Sequence, residues 1–139
     1  MSIHSTAIVS PKAELGERVT IGPYAIVEED TRIGDDTVLD ANAQVRRGST
    51  LGKENRVGSG VLIGADPQFL EFDPSTRTKT LLGDGNILRE YVTIHRSSGD
   101  DGGTVVGNRN YLMTGAHVGH DCSIGNENTF ANNVLLGGH

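Results

Sequence analysis

The sequence predicts an all-β chain folded as a parallel β-helix, and two regularities carry that prediction. An aliphatic residue, or once a phenylalanine, recurs at every sixth position along most of the 139 residues. A small or β-branched residue stands two positions before most of these apolar residues, and glycine often follows them. A period of six fits neither the 3.6-residue α-helix nor a series of hairpins, but it is typical of parallel β-helices.

The apolar positions form three runs that together make nineteen hexads. The first run comprises Val9, Leu15, Ile21, Val27, Ile33, Leu39, Val45, Leu51, Val57 and Ile63. The second comprises Leu82, Leu88 and Ile94, and the third Val106, Leu112, Val118, Ile124, Phe130 and Leu136. We interpret each hexad as a short strand and a bend, with the apolar side chain pointing inward and the following glycine allowing the turn. Three hexads close one triangular coil, so we expect about six coils.

Stacking of successive coils at the normal strand spacing places residues about eighteen apart directly above one another. We therefore expect Val106 on Ile124, Leu112 on Phe130 and Val118 on Leu136. Two ladders of asparagine should form at a corner, Asn108 over Asn126 and Asn110 over Asn128, where asparagine tolerates left-handed backbone angles.

The repeat pauses twice, and inserted segments of this kind often leave a solenoid on its binding face. The first pause, at 65–81, carries Phe69, Leu70 and Phe72 in a polar stretch. We expect these side chains to fold back onto their own coil or a neighbouring subunit, although a self-packed loop without function is the alternative. The second pause, at 96–104, contains no hydrophobic residue. We expect it to be mobile or only locally ordered.

Composition and charge exclude several classes of protein. The formal net charge of −6 leaves no basic stripe that could displace counterions from nucleic acid phosphates. The N-terminal stretch has neither the pattern of a secretory signal nor an apolar run that could cross a membrane, which predicts a cytoplasmic protein. The single cysteine, Cys122, occupies an inward position of its hexad, so a buried structural thiol is favoured over a nucleophile.

Candidate catalytic residues gather after the two pauses. His120 is followed by Asp121, and a carboxylate beside a histidine is a suitable arrangement for general-base chemistry. Asp121 and His139 are about eighteen residues apart, so they should lie on one outer line. Gly138 lets a ligand approach the backbone, where a free N–H could bind a developing oxyanion. No serine elbow or phosphate-binding loop is present, so no nucleophile for covalent catalysis is evident.

Three stretches resemble a known family: REYVTIHR, NYLMTGAHVGHDCSIGN and ANNVLLGGH. They are similar to the UDP-N-acetylglucosamine acyltransferases of lipid A biosynthesis, within the hexapeptide-repeat acyltransferases. The hexads are shared by many such enzymes, whereas TIHR at 93–96 and AHVGHDC at 116–122 are more specific. The resemblance implies a left-handed β-helix that assembles as a homotrimer and needs neither a cofactor nor a metal. It also implies transfer of a 3-hydroxyacyl group from acyl carrier protein to the 3-hydroxyl of UDP-N-acetylglucosamine.

The resemblance assigns roles to particular residues. His120 matches the family's general base, Asp121 the carboxylate that orients it, and Gly138 the donor to the oxyanion. Residues matching the substrate-contacting positions are Gln68, His95, His117 and His139.

Two departures from the family pattern stand out. The family's first loop usually reads PQDLK followed by an aromatic residue, whereas here it reads Pro67–Phe72, with Phe69 for the aspartate and Glu71 for the lysine. The Glu71 carboxylate should repel a uridine diphosphate and weaken its binding, which leaves a changed substrate sugar or acyl chain as an alternative. Family members also continue through further coils and a C-terminal helical domain, so we expect this 1–139 chain to be a truncated form.

Two alternatives from other classes stay open. A truncated β-helix could be a scaffold that folds or self-associates without catalysing a reaction. The fold also hosts trimeric zinc enzymes of the γ-carbonic-anhydrase type, in which three histidines are shared across a subunit interface, and His95, His117, His120 and His139 could supply such imidazoles.

Overall fold

A computed structural model describes residues 1–99 and 102–139, which form a prism of three parallel β-sheets with no helix in those ranges. The first sheet contains β1 (Ser2–Ile3), β4 (Thr20–Ile21), β7 (Val38–Leu39), β10 (Arg56–Val57), β13 (Ile87–Leu88), β16 (Tyr111–Leu112) and β19 (Thr129–Phe130). The second contains β2 (Ile8–Val9), β5 (Ile26–Val27), β8 (Gln44–Val45), β11 (Leu62–Ala65), β14 (Thr93–His95), β17 (His117–Val118) and β20 (Leu135–Leu136). The third contains β3 (Glu14–Leu15), β6 (Arg32–Ile33), β9 (Ser49–Leu51), β12 (Thr80–Leu82), β15 (Thr104–Val106) and β18 (Ser123–Ile124).

The chain visits the three sheets in turn, so every third strand is a neighbour in the same sheet. The predicted parallel β-helix is therefore confirmed. The predicted stacks are confirmed as well: Val106 pairs with Ile124, Leu112 with Phe130 and Val118 with Leu136. The hexad count was one short, because β1 adds a twentieth strand whose Ile3 pairs with Ile21.

The inward apolar residues form one continuous column through the prism. From Ile21 to Ile124 they are buried, and the small residues two places earlier, such as Ala25, Ala43 and Ala116, are buried with them. Alternation of a large and a small inward side chain lets three flat strands meet at a corner without a void. Removal of this apolar surface from water is the main favourable contribution to folding.

Both asparagine ladders form, and one of them is longer than expected. The buried ladder extends from Asn128 through Asn110 and Asn86 to Asn55, with each side-chain oxygen accepting from the asparagine N–H of the next coil. The expected left-handed backbone at these asparagines was wrong. The left-handed residue is instead the one that separates two asparagines along the chain, such as Arg109 between Asn108 and Asn110, with φ 54°. That residue occupies the turn itself.

Among the described glycines that follow an inward residue, Gly64 alone has a left-handed φ, so the expected role in the turn is wrong for most of them, and close stacking explains glycines such as Gly34. A Cβ added to Gly34 would lie 2.5 Å from the carbonyl carbon of Gly52 in the next coil. Gly34 has no left-handed φ, so the requirement is space between two backbones.

Both inserted segments leave the prism at the same edge, between the second and third sheets. The first occupies 66–79 between β11 and β12, and the second occupies 96–103 between β14 and β15. These bounds are slightly narrower than the sequence indicated, because strands extend into the ends of each pause. Asp100 and Asp101, in the segment expected to be mobile or locally ordered, lie outside the described residues. Both irregular inserts therefore lie beside each other on one edge of the prism.

The described residues contain no apolar helix of the length that crossing a membrane requires.

Asn86→Ala should lower the free energy of unfolding by about 2–4 kcal/mol, because it leaves the buried backbone N–H of Asn110 and the half-buried carbonyl of Gly107 without their partner. Asn126→Ala is the matched control, since Asn126 makes the equivalent bond at an exposed position and should cost much less. Urea denaturation at equal protein concentration measures both. Equal losses would show that burial of the ladder is not what stabilises it.

Candidate active site

The candidate residues meet on the edge that carries both inserts. His120 and Asp121 lie in the turn after β17, and Gly138 and His139 follow β20. Because Val118 in β17 pairs with Leu136 in β20, the two turns stack on each other. The backbone N–H of His139 donates to the carbonyl oxygen of His120 at 2.9 Å. The expected alignment of Asp121 with His139 therefore holds, with 3.9 Å between the Asp121 Oδ2 and the His139 Nδ1.

The His120 imidazole lies between an aromatic side chain and the next coil. Phe69 of the first insert approaches it edge-on, with ring centroids 5.4 Å apart, and His139 does so at 4.9 Å. A Cβ added to Gly138 would lie 2.4 Å from the His120 Nε2, so only glycine leaves room for the ring there. The half-buried ring is thus confined on three sides, by Phe69, Gly138 and His139.

Asp121 is fixed by the second insert. Its carboxylate accepts the backbone N–H of Ser98 at 3.1 Å and also the Ser98 hydroxyl. Its own N–H donates to the Thr104 hydroxyl at 2.9 Å. The described residues include no hydrogen bond between Asp121 and the His120 ring, although ligand atoms of the two side chains lie within 4.8 Å of each other. The carboxylate is thus placed to act on His120 through its charge, with Ser98 occupying part of its hydrogen-bonding capacity.

His95 and His117 form a second pair beside the first. Their ring centroids are 4.8 Å apart and the rings are nearly perpendicular. His95 donates from Nδ1 to the carbonyl oxygen of Asp66 at 2.7 Å, whereas the His117 Nδ1 and the Thr93 hydroxyl are 2.7 Å apart. Burial is the main cause that lowers the pKa of both imidazoles, and the neighbouring His120 lowers both further. Both rings are therefore neutral at pH 7, and no hydrogen bond of either Nε2 occurs within the described residues.

Gln68 is an exposed side chain of the first insert, directly before Phe69. The fold brings its segment to His120, but no side-chain hydrogen bond of Gln68 occurs within the part of the chain that the structure describes. The expectation that the apolar residues of this insert fold back onto their own coils is confirmed for Phe69, which contacts His120, and for Phe72, which contacts Arg96. Leu70 is fully exposed, which the sequence did not indicate.

Three of the candidate residues could bind a metal ion together. Ligand atoms of His120, Asp121 and His139 lie within 4.8 Å of one another, and this is the one such group in residues 1–99 and 102–139. The ligand atoms are too far apart for direct tetrahedral coordination without side-chain movement. His95 and His117 use Nδ1 in hydrogen bonds and stand in a separate pair, so the four histidines of the zinc alternative do not converge within one chain. That no metal is needed stays a prediction.

Cys122 is buried, as predicted, and its thiol donates to the carbonyl oxygen of Gly137 at 3.0 Å. Burial raises the pKa of this thiol, so it stays protonated and is a poor nucleophile at pH 7.

Sequence reasoning missed three residues that hold the site in place. Thr93 bonds His117, Ser98 bonds Asp121, and Arg96 binds the first insert. Two of them belong to the TIHR motif at 93–96, so the motif carried a signal whose content only the structure shows. Ser98 sits in the second pause, where no repeat pattern marks its importance.

Known proteins share the repeat pattern of this chain and are similar to it in sequence. The family model described as bacterial transferase hexapeptide (six repeats) matches residues 30–65 and 103–138. A protein of Syntrophobacter fumaroxidans named acyl-[acyl-carrier-protein]--UDP-N-acetylglucosamine O-acyltransferase is 44% identical over 99% of this chain and 54% of its own length. Its counterpart in Thermodesulfovibrio yellowstonii is 41% identical, over 99% of this chain and 53% of its own length.

Solved structures agree with this result. The UDP-N-acetylglucosamine acyltransferase of Francisella novicida superposes with a TM-score of 0.95 at 36% identity, covering 99% of this chain and 50% of that one. The enzyme of Bacteroides fragilis gives 0.93 at 40% identity, with 98% and 53% covered. A mirror-image coil would not superpose in this way, so the chain has the hand of these left-handed helices.

A repeating coil with histidines on one edge defines the class, and the chain belongs to the bacterial transferase hexapeptide family. Within that family its similarity is to the UDP-N-acetylglucosamine O-acyltransferases, as the sequence motifs indicated. The chain spans about half the length of the curated relatives that it matches.

The lowered pKa values of His95 and His117 predict a loss of stability in acid. Their folded pKa values lie below the ordinary value of about 6.5, so the unfolded chain binds protons first as the pH falls. The free energy of unfolding should therefore be independent of these groups above about pH 7 and should decline from about pH 6.5 downward until the folded pKa values are passed.

Urea titrations between pH 7.5 and pH 5 measure this decline. His95→Gln should flatten it relative to the parent chain, whereas His4→Gln, at an exposed position near the N-terminus, should leave it unchanged. An unchanged slope in His95→Gln would contradict the assignment of burial as the cause.

Proposed function

We propose that this chain carries the catalytic edge of an acyltransferase that moves a 3-hydroxyacyl group from acyl carrier protein to the 3-hydroxyl of UDP-N-acetylglucosamine, in the first step of lipid A synthesis. The observation that carries the proposal is the contact between His120 and Gly138. It combines a confined imidazole with a backbone that only glycine allows to come so close. The printed names of the relatives support the choice of both substrates.

The proposed reaction begins with proton removal by the base. A ring nitrogen of His120 takes the proton of the sugar 3-hydroxyl as its oxygen attacks the thioester carbonyl carbon. The Asp121 carboxylate, within 4.8 Å, stabilises the imidazolium that forms. The tetrahedral intermediate then collapses, the carbon–sulfur bond breaks, and the thiolate of the carrier takes the proton from His120. Ester and free carrier thiol are the products, and no redox partner is required.

The negative oxygen of the tetrahedral intermediate needs a donor, and Gly138 is positioned to supply one. Gly138 stands two places after an inward residue, and Pro11 and Pro23 occupy the same place in their hexads. Proline has no N–H, so the hydrogen bonds between coils do not require a donor at this place in the repeat. The Gly138 N–H is therefore available to an oxyanion beside His120.

Substrate contacts fall to the neutral histidine pair, to His139 and to the first insert. Neutral His95 and His117 offer donors or acceptors to sugar hydroxyls without adding charge. His139 is exposed beside His120, and Gln68 is exposed beside Phe69, where both could reach a nucleotide-sugar. We assign Gln68, His95, His117 and His139 to substrate binding on this basis.

Partners and assembly form part of the same proposal. Acyl carrier protein and UDP-N-acetylglucosamine are the two substrates, and the site is one wall of a cleft that a neighbouring subunit of a homotrimer would complete. The exposed faces of Phe69, His139 and Leu135 leave this edge open for such a neighbour. A cytoplasmic location stays a prediction, as do the need for no cofactor and the truncated character of the chain.

His120→Ala should reduce kcat/KM for acyl transfer by about two to four orders of magnitude, because the general base is lost. The assay follows transfer from 3-hydroxyacyl carrier protein to UDP-N-acetylglucosamine by the 139-residue chain and by a version extended to the length of its relatives. His4→Ala, far from the site, is the matched control. Wild-type rates in His120→Ala would remove this residue from the mechanism.

The same assays separate the two alternatives. A folded extended protein that transfers no acyl group to any nucleotide-sugar would favour the scaffold. Stoichiometric zinc by elemental analysis, together with carbon dioxide hydration, would favour the zinc enzyme.

Gly138→Ala should lower kcat by about two to three orders of magnitude, since the added methyl group occupies the space of the His120 ring and displaces the oxyanion donor. Gly99→Ala is the control, because Gly99 lies in the second insert, outside the stacked coils, and a Cβ there meets no atom within 4 Å. Comparable activity of the two variants would sink the proposed role of Gly138.

A further inference from the structure

Arg96 is a buried cation with no role in the reaction as described so far. Its side chain is 5% exposed, although arginine is rarely buried unless its donors are satisfied. It closes the TIHR motif and begins the second insert, directly after β14. Its guanidinium therefore lies between the two inserted segments on the edge that carries His120.

The guanidinium of Arg96 holds the first insert at several points. Its Nε donates to the Asp66 carboxylate at 2.9 Å, and its terminal nitrogens donate to the carbonyl oxygens of Thr76 at 2.6 Å and Pro74 at 2.9 Å. The Thr78 hydroxyl accepts a further bond at 3.1 Å. These partners span both ends of the insert, so one planar group ties its entry to its exit.

The same guanidinium stacks on an aromatic ring that leads to His120. The Arg96 Cζ lies 5.0 Å from the centroid of Phe72, within the range of a cation–π contact. Phe72 meets Phe69 at 5.6 Å in a T-shaped contact, and Phe69 meets His120 at 5.4 Å. An unbroken line of contacts therefore runs from Arg96 through two phenylalanines to the imidazole.

The requirement is specific to arginine. A lysine would keep the charge. Its single ammonium group, however, lacks the planar set of donors that lets the guanidinium bond four acceptors and stack on Phe72 at the same time. With lysine at 96, the insert would lose the bonds at Thr76, Pro74 and Thr78 together or in part, and Phe72 would lose its stacking partner. The insert could then move away from His120 without any change in the coils themselves.

We propose that Arg96 is a positioning residue for His120, holding the first insert folded so that Phe69 covers one side of the imidazole. This inference rests on the proposed function only in taking His120 as the base of the reaction, because the contacts of Arg96 exist whatever the protein catalyses. Ser98, two residues later, fixes Asp121. The short stretch 96–98 therefore orients both His120 and Asp121. Arg96 acts on His120 through the first insert, and Ser98 acts on Asp121 directly.

The test compares Arg96→Lys with Arg109→Lys, an arginine at an exposed position that pairs with Glu127 across coils. The first readout is tryptic cleavage after Arg77, which lies between the two threonines that Arg96 holds. The second is the rate of carbethoxylation of His120 relative to His4, resolved by mass spectrometry of peptides. Arg96→Lys should raise both rates about tenfold, and Arg109→Lys should change neither.

Kinetics then decide whether the contact line matters for turnover. Arg96→Lys and Phe69→Leu should each lower kcat by about tenfold, and the double variant should lose no more than the larger single loss, since both act on one line of contacts. Multiplicative losses would overturn action through Phe69. If Arg96→Lys does not fold, Phe72→Leu breaks the same line outside the prism and replaces it in every comparison.

The two proposals fail in different ways. Unchanged cleavage and carbethoxylation in Arg96→Lys would refute the positioning role even with a fully active enzyme. Altered rates in a protein whose parent transfers no acyl group would refute the proposed function and leave the positioning of His120 intact.

Discussion

Hydrogen bonding between successive coils is the constraint on which every other feature of this molecule depends. Each coil pairs in register with the next, so the position of a side chain in its hexad fixes both its sheet and its height along the prism. A corner position in one coil therefore lies over the same corner in the next. His120 and Gly138 are neighbours for this reason alone, and their close contact is a property of the repeat that glycine makes possible.

The two inserts use that frame without disturbing it. Both leave from the edge between the second and third sheets, where Phe69 reaches His120 and Ser98 reaches Asp121. The coils supply rigid positions, and the inserts supply the groups that orient the side chains on them. Asp121 shows the consequence, because its carboxylate accepts hydrogen bonds from Ser98 of the second insert while lying 3.9 Å from the His139 Nδ1. A mechanism in which Asp121 bonded only His120 would require Ser98 to release it.

The electrostatics of the edge follow from the crowding of imidazoles. Burial is the main cause that lowers the pKa of His95 and His117, and the nearby His120 lowers both further, which keeps the two rings neutral at pH 7. Within residues 1–99 and 102–139, Arg96 is the one buried arginine or lysine, and Asp66 and backbone carbonyl oxygens compensate its charge. The edge thus separates the neutral pair of His95 and His117 from His120, whose ring lies within 4.8 Å of the Asp121 carboxylate.

The sequence by itself determined the coil, because a period of six leaves a strand-and-bend repeat as the one way to bury every apolar residue on one side. It also determined that His120, Gly138 and His139 would meet, since residues at corresponding places of stacked hexads must. Only the tertiary structure decided what the inserts do. No period connects Phe69 to His120, Ser98 to Asp121 or Arg96 to the first insert, because these contacts depend on the path of the irregular backbone in the two inserts, 66–79 and 96–103. Handedness likewise came from superposition, since hydrophobic periodicity is the same in either hand.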